Sequence, residues 1–195
     1  AILASLIAPM SANATVVEFD TSHGKVKVSL YDESTPTTVA NFLSYVEDGS
    51  YNNTIFHRNA KTSTDDNFII QGGSYYFDPT DLFKFKPSNA AIRNEPIYSN
   101  VAGTIAMAKT SSPNSATRQW FFNLNDNSTS LDVVTNSGGF TVFGPVIEGY
   151  DNLEAMAAVN RCFYNNREEL PFVVATDKTC SDYTLLPADD SEKLA

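Results

Sequence analysis

Apolar and polar residues alternate through TVVEFDTSHGKVKVSLYD on both sides of Ser22-His23-Gly24. A period of two predicts a pair of antiparallel strands joined by a tight turn, with His23 a turn residue. The period then lengthens. Val39, Phe42, Leu43 and Val46 recur at spacings of three, four and seven, which puts them on one face of a helix. Thr35-Pro36 supplies the start of that helix and Gly49 its stop. From Ile55 the pattern breaks into short apolar runs, IFHR, FIIQGG, GTIAMA, WFFNL and TVFGPVIEG, set between loops rich in Asn, Ser, Thr, Asp and Gly. Short strands separated by turn signals predict a barrel or sandwich. A second helix is expected from Asp151, with Leu153, Met156, Ala157 and Val159 apolar, and PFVVA at 171–175 is expected to return as a strand. No repeat, linker or low-complexity tract interrupts the chain. One domain over 15–187 is therefore expected, with an acidic tail over 188–195.

Composition narrows the class. A chain of 195 residues, 42% hydrophobic and 12% aromatic, can bury one sizeable core. A net charge of -10 argues against an electrostatic grip on nucleic acid or on an anionic membrane surface, since both need clustered Lys and Arg, and neither partner is expected. After the opening segment no run approaches the roughly 20 apolar residues of a membrane span. That opening, AILASLIAPMSANA, reads as the downstream half of a secretory signal: an apolar stretch, Pro9, then Ala12 and Ala14 in the A-x-A arrangement. Residues 1–14 are accordingly expected to be the remnant of a signal peptide and the protein exported, to a periplasm in a bacterium. An ordinary terminal strand or helix is the alternative. Cys162 and Cys180 are the only cysteines, which fits one disulfide in an oxidising compartment or two buried free thiols. With two His and two Cys scattered, no zinc spacing appears, and no metal or cofactor is expected.

Familiar catalytic devices are missing from the sequence: there is no G-x-S-x-G, H-E-x-x-H, P-loop or G-x-G-x-x-G. What remains is a set of strand-borne groups, Arg58, Phe68, Ile69, Gln71, Gln119, Phe121, Leu131 and Phe140. Taken singly, the apolar ones read as core and the arginine as a surface charge. Their order is more specific. FHR, F-x-x-QGG (Phe68 to Gly73), Asn94-Glu95, GTIAMA (Gly103 to Ala108), SAT-x-Q-x-FF (Ser115 to Phe122), Leu131-Asp132 and VFG-x-V-x-EG (Val142 to Gly149) follow one another as in the cyclophilins. From Val16 to Val174 the chain resembles a cyclophilin-type peptidyl-prolyl cis/trans isomerase, above all the exported bacterial kind.

The resemblance implies a mainly β fold, a closed eight-stranded antiparallel barrel capped by two α-helices. It implies catalysis by Arg58 with Gln71, and a substrate site formed by Phe68, Ile69, Ala108, Lys109, Thr110, Gln119, Phe121, Leu131 and Phe140. Proline-containing polypeptides are the implied partners, and rotation about X-Pro bonds in exported or unfolded chains, as an aid to folding, the implied function. A barrel that only holds proline segments, without turnover, is the alternative. His57 reads as structural. Several positions depart from the family pattern: the stretch Asn59 to Asn67 is longer than usual, Trp120 replaces a common Phe, and Phe140 stands where His or Tyr is frequent. Ser130 occupies a position where many members carry Trp or Phe, so cyclosporin is expected to bind weakly. The segment after Val159, holding both cysteines, extends past the usual family end.

Overall fold

The computed structural model describes residues 14–78, 82–134, 137–159, 161–164 and 167–171. The alternating segment folds as expected into β1 (Val16–Thr21) and β2 (Gly24–Ser29), antiparallel, with Ser22 and His23 in the turn. Helix α1 (Pro36–Glu47) follows, burying Val39, Phe42 and Tyr45. Then come β3 (Arg58–Lys61), β4 (Asn67–Gly72), a hairpin of β5 (Tyr75–Asp78) and β6 (Leu82–Phe85), β7 (Thr104–Met107) and β8 (Trp120–Asn123). A four-residue helix α2 (Ser128–Leu131), β9 (Val142–Glu148), α3 (Tyr150–Ala158) and a hairpin of β10 (Arg161–Tyr164) and β11 (Arg167–Pro171) are the remaining elements among the described residues. Among the described residues no helix is long and apolar enough to cross a membrane.

Seven of these strands form one antiparallel sheet in the order β1-β2-β9-β7-β8-β4-β3. The sheet curls strongly. Phe19 on the end strand β1 meets Trp120 and Phe122 of β8 edge-on at 5.0 and 5.3 Å between ring centroids, although β2, β9 and β7 lie between them in the sheet. The structure thus has a mainly β fold with a curled seven-stranded sheet. The strand expected over 171–175 lies, apart from Pro171, outside the described residues, as do the signal segment 1–13, Cys180, the side chain of Cys162 and the tail 188–195.

Alternation divides the sheet's side chains into two layers. On the concave side Val26, Val28, Ile70, Ile105, Met107, Trp120, Phe122 and Phe143 form the main core with Phe42 of α1 and Leu153 and Met156 of α3. Their immediate neighbours in sequence point the other way: Ile69, Ala106, Phe121 and Val142, with Ala60 and Leu131, make a second, smaller cluster, and Phe68, Ala108 and Phe140 pack against it half-buried. Fully burying an aliphatic or aromatic side chain contributes roughly 1.5–3 kcal/mol, so both faces hold the register of β4, β7 and β8. Two glycines are required by this packing. A Cβ on Gly72 would lie 2.9 Å from the Trp120 indole; one on Gly73, whose φ is +96°, would lie 2.8 Å from the indole nitrogen and 2.9 Å from the Arg118 carbonyl. The larger Trp120 therefore fits because the facing backbone carries no side chain.

The IFHR run differs from expectation in its boundary, since β3 begins only at Arg58. The long Asn59 to Asn67 stretch also finds its place. It extends the β3–β4 hairpin and closes in a turn where the Thr62 N–H donates to the Asp66 carbonyl at 2.8 Å and Asp65 takes a φ of +62°.

Candidate active site

The second cluster is where the expected site residues meet. Register carries Arg58 opposite Gln71 and Gln71 opposite Phe121, while Phe121 also pairs with Ala106. One row across four strands therefore aligns the arginine, the glutamine and the aromatic on a single face. Arg58 is half-buried, and its guanidinium lies 3.5 Å from the Gln71 side-chain oxygen. Gln71 in turn donates from its amide nitrogen to the Gln119 side-chain oxygen at 2.6 Å. Gln119, just ahead of β8, is fixed by the Ala108 N–H, which donates to its carbonyl at 2.9 Å. The three polar groups thus form a line beside an apolar floor of Phe121 (2% exposed) and Ile69 (3%).

Walls rise around that floor. Phe140 stands edge-on to Phe121, with ring centroids 5.8 Å apart. Leu131 closes one side from the end of α2, and Phe68 stands at the start of β4. Lys109 lies over the Phe140 ring at 4.3 Å from its centroid and donates to the Ser137 carbonyl and hydroxyl at 2.6 and 2.7 Å. Partial burial pushes its ammonium pKa below the ordinary lysine range. Thr110 is exposed at the mouth, with its N–H donating to the Ser115 hydroxyl at 3.0 Å. Ser130 is exposed next to Leu131. His57 points elsewhere: its ring packs edge-on to Tyr75 at 4.8 Å, and its backbone N–H continues the ladder to the Gln71 carbonyl. Phe68, Ile69, Ala108, Phe121, Leu131 and Phe140 thus pack together with Arg58, Gln71 and Gln119 beside them and Lys109 over Phe140, whereas Thr110 bonds to Ser115 and Ser112.

An apolar cluster with a half-buried planar cation beside it suits a five-membered ring attached to a polarisable amide. It has the right parts for an X-Pro bond. A model of the cyclophilin type peptidyl-prolyl cis-trans isomerase family matches residues 16–174. The chain belongs to the cyclophilin family. A peptidyl-prolyl cis-trans isomerase of Acinetobacter baylyi is 39% identical over 168 residues, covering 85% of this chain and 84% of the relative. Peptidyl-prolyl cis-trans isomerase B of Escherichia coli is 40% identical over 152 residues, 74% and 85% of the two chains. The crystal structure of a cyclophilin type isomerase from Cryptosporidium parvum superposes with a TM-score of 0.62 at 26% identity, over 80% of this cyclophilin and 90% of that chain. The activity of this chain is accordingly peptidyl-prolyl cis/trans isomerisation, the name that the two bacterial relatives carry at 39% and 40% identity.

Three features of this cyclophilin play roles that the sequence reading did not assign. Glu95 caps α1 from a distant loop: its carboxylate accepts from the Thr38 N–H and hydroxyl at 2.9 and 2.8 Å and from the Thr37 N–H at 3.3 Å. Partial burial alone would raise the Glu95 pKa, but the hydrogen bonds from Thr38 and Thr37 outweigh it and hold the carboxyl below its ordinary value. Arg118 is 1% exposed and donates to the carbonyls of Gly73, Pro87 and Ser50 at 2.6, 2.5 and 2.9 Å, with its guanidinium over Tyr45 and Tyr51. Behind Phe68, Leu131 and Phe140 lie three buried asparagines, Asn100, Asn123 and Asn127.

Proposed function

We propose that this cyclophilin accelerates X-Pro rotation through Arg58, with the proline ring held on Ile69 and Phe121 between Phe68, Leu131 and Phe140. The barrier to be lowered is about 18–20 kcal/mol, set by amide resonance. Twisting the bond breaks that resonance and leaves a lone pair on a pyramidal prolyl nitrogen. A guanidinium donating toward that lone pair interacts more strongly with the twisted state than with the planar ground state, and only such differential interaction speeds the step. Gln71, 3.5 Å from the Arg58 guanidinium, orients the fork, and Gln119 holds Gln71. Ala108, Lys109 and Thr110 line the path of the substrate backbone. The observation that supports this assignment best is the single cross-strand row of Arg58, Gln71 and Phe121.

The same reading extends to the rest of the molecule. We infer that the curled sheet belongs to a closed eight-stranded barrel. In support, β1 pairs only with β2 among the described residues, and a groove of about 590 Å³ runs between β1 and 51–56, its walls including Val17, Phe19, Phe42, Tyr51, Phe56 and Trp120. The β11 strand, which ends at Pro171, contacts β3, the other end strand of the sheet. Export remains supported by the opening AILASLIAPMSANA alone; it makes newly translocated, still unfolded polypeptides the natural clients. A protease-coupled isomerisation assay on a proline tetrapeptide tests the function, with a cis-to-trans rate well above the uncatalysed one expected. A rate equal to the uncatalysed one, with tight peptide binding, would leave a holding module instead.

A further inference from the structure

None of the three apolar walls sits in the middle of a strand, and Phe68, within β4, is passed over at a bulge in the β3–β4 pairing. Phe68 sits at the start of β4, Leu131 at the end of a four-residue helix and Phe140 in the loop before β9. Packing alone fixes such segments weakly, since exposed loops lack the ladder that fixes strands. Beneath them lies a polar structure the core does not need. Asn100 and Asn123 are fully buried and Asn127 is 3% exposed. An amide in such a place is costly unless its hydrogen bonds are made.

Here they are made in one continuous line. The Asn127 side chain donates to the Phe68 carbonyl at 2.9 Å and to the Asn123 side-chain oxygen at 2.9 Å. Asn123 donates to the Asn100 side-chain oxygen at 3.1 Å and to the Thr104 hydroxyl at 2.9 Å. Asn100 donates to the Phe140 carbonyl at 3.1 Å and to the Asp132 carboxylate at 2.8 Å. The third wall is reached through the backbone: the Leu131 N–H donates to the Asn127 carbonyl and the Leu131 carbonyl accepts from the Phe140 N–H, both at 2.9 Å. Asn123 is the central member, and it stands on β8 two residues from the floor residue Phe121, directly opposite Ile69. Alternation puts it on the site face. The three bonds between the side chains of the line run one way, from Asn127 through Asn123 and Asn100 to the Asp132 carboxylate, an alignment in which each bond polarises the next.

We propose that Asn123 is a positioning residue for isomerisation, the hub of an asparagine relay that sets the spacing of Phe68, Leu131 and Phe140 around the proline ring. The proposal rests on the reading of those three side chains as pocket walls. Walls that clasp the ring act on the planar and twisted states alike, so their loosening removes uniform binding: KM rises and kcat holds. A purely stabilising role predicts the reverse. Partial unfolding lowers the active fraction, hence the apparent kcat, and leaves KM alone.

The experiment measures KM and kcat on a proline tetrapeptide, Kd for the same peptide by chemical-shift titration, and thermal unfolding, for four variants. In Asn123→Ala, KM and Kd should rise at least about fivefold with kcat within about twofold of wild type. Asn127→Ala removes one of two donors to the Phe68 carbonyl, which keeps the Leu124 N–H at 3.0 Å, and one bond to Asn123; it should give a smaller rise, and it stands in should Asn123→Ala fail to fold. Leu153→Ala opens a cavity in the main core, away from the site, and should leave KM unchanged. Phe121→Ala strips the floor itself and must raise KM if the pocket is read correctly. A raised KM in Phe121→Ala with wild-type KM in both asparagine variants would overturn the relay and leave the pocket standing. Wild-type KM in Phe121→Ala would overturn the pocket reading and the relay with it. A rise in Leu153→Ala equal to that in Asn123→Ala would also overturn the relay, because KM would then report lost stability alone.

Discussion

Replacing Arg58 should remove most of the catalysis while leaving the fold intact. A hydrogen bond to a charged group contributes about 1.5–3 kcal/mol net. Arg58 is half-buried beside a floor that is 2% exposed, so the interaction is not screened as at an open surface, and the upper part of that range applies. At 1.36 kcal/mol per factor of ten, about 2.7 kcal/mol of lost transition-state stabilisation is about a hundredfold in kcat/KM. Arg58→Ala should therefore fall by at least about a hundredfold, provided the bond forms mainly in the twisted state. Arg58→Lys should do little better, since an ammonium keeps the charge but cannot address nitrogen and carbonyl together as the planar fork can. Gln71→Ala should lose less, about tenfold, because Gln71 acts on the guanidinium through one long contact of 3.5 Å. The protease-coupled assay gives the rates, and circular dichroism with melting curves shows that each variant is folded. Near-wild-type turnover by a well-folded Arg58→Ala would refute the assignment, because no other cation stands in the Arg58-Gln71-Gln119 line.

Three further outcomes follow from the same geometry. Glu95→Gln should lower the melting temperature at neutral pH by an amount equivalent to roughly 0.5–2 kcal/mol, the range for a helix N-terminal carboxylate. The Glu95 pKa is depressed in the folded state, so its contribution is present above the ordinary value of 4.5 and is lost as pH falls through the folded value; melting curves from pH 7 to pH 3 that keep a constant gap between the two proteins would contradict it. Arg118→Leu leaves three carbonyls without their shared donor and should destabilise by about 2–5 kcal/mol in urea unfolding, with Arg118→Lys recovering little because one ammonium cannot span all three. Cyclosporin should inhibit the wild type more weakly than Ser130→Trp, since an indole beside Leu131 adds apolar contact and an N–H donor; equal inhibition of the two would remove that argument.

The parts of the fold that were legible in the sequence are those governed by a local period. The β1–β2 hairpin and α1 follow from alternation and from the spacing of Val39, Phe42, Leu43 and Val46, both of which report burial of one face by neighbours in sequence. The β5–β6 and β10–β11 hairpins, four or five residues per strand, are too short for a period to emerge. The Glu95 cap was invisible for a different reason: its carboxylate meets Thr38 across 57 residues of chain, and Thr35, the residue in the expected capping position, makes no side-chain cap bond. Arg118 likewise reads as a surface charge in SATRQ, because its three acceptors are backbone carbonyls that leave no trace in side-chain identity. The site residues were legible only as an ordered set of motifs, since nothing in Arg58 or Gln71 taken alone distinguishes them.

That dependence on order has a physical source in the two-sided sheet. Trp120 and Phe122 face the main core, Phe121 between them faces the substrate side, and the same division separates Ile70 from Ile69 and Ile105 from Ala106. A slip of one residue in β8 would turn Phe121 into the core and carry Trp120 and Phe122 out of it, losing several buried side chains at once. The core layer thus pins the register in which Arg58, Gln71 and Phe121 share a row, and the proposed catalytic geometry inherits the rigidity of packing it does not itself supply. The irregular walls at Phe68, Leu131 and Phe140 lie outside that register. They are the part of the pocket that strand pairing cannot position, and that is where the buried asparagines are found.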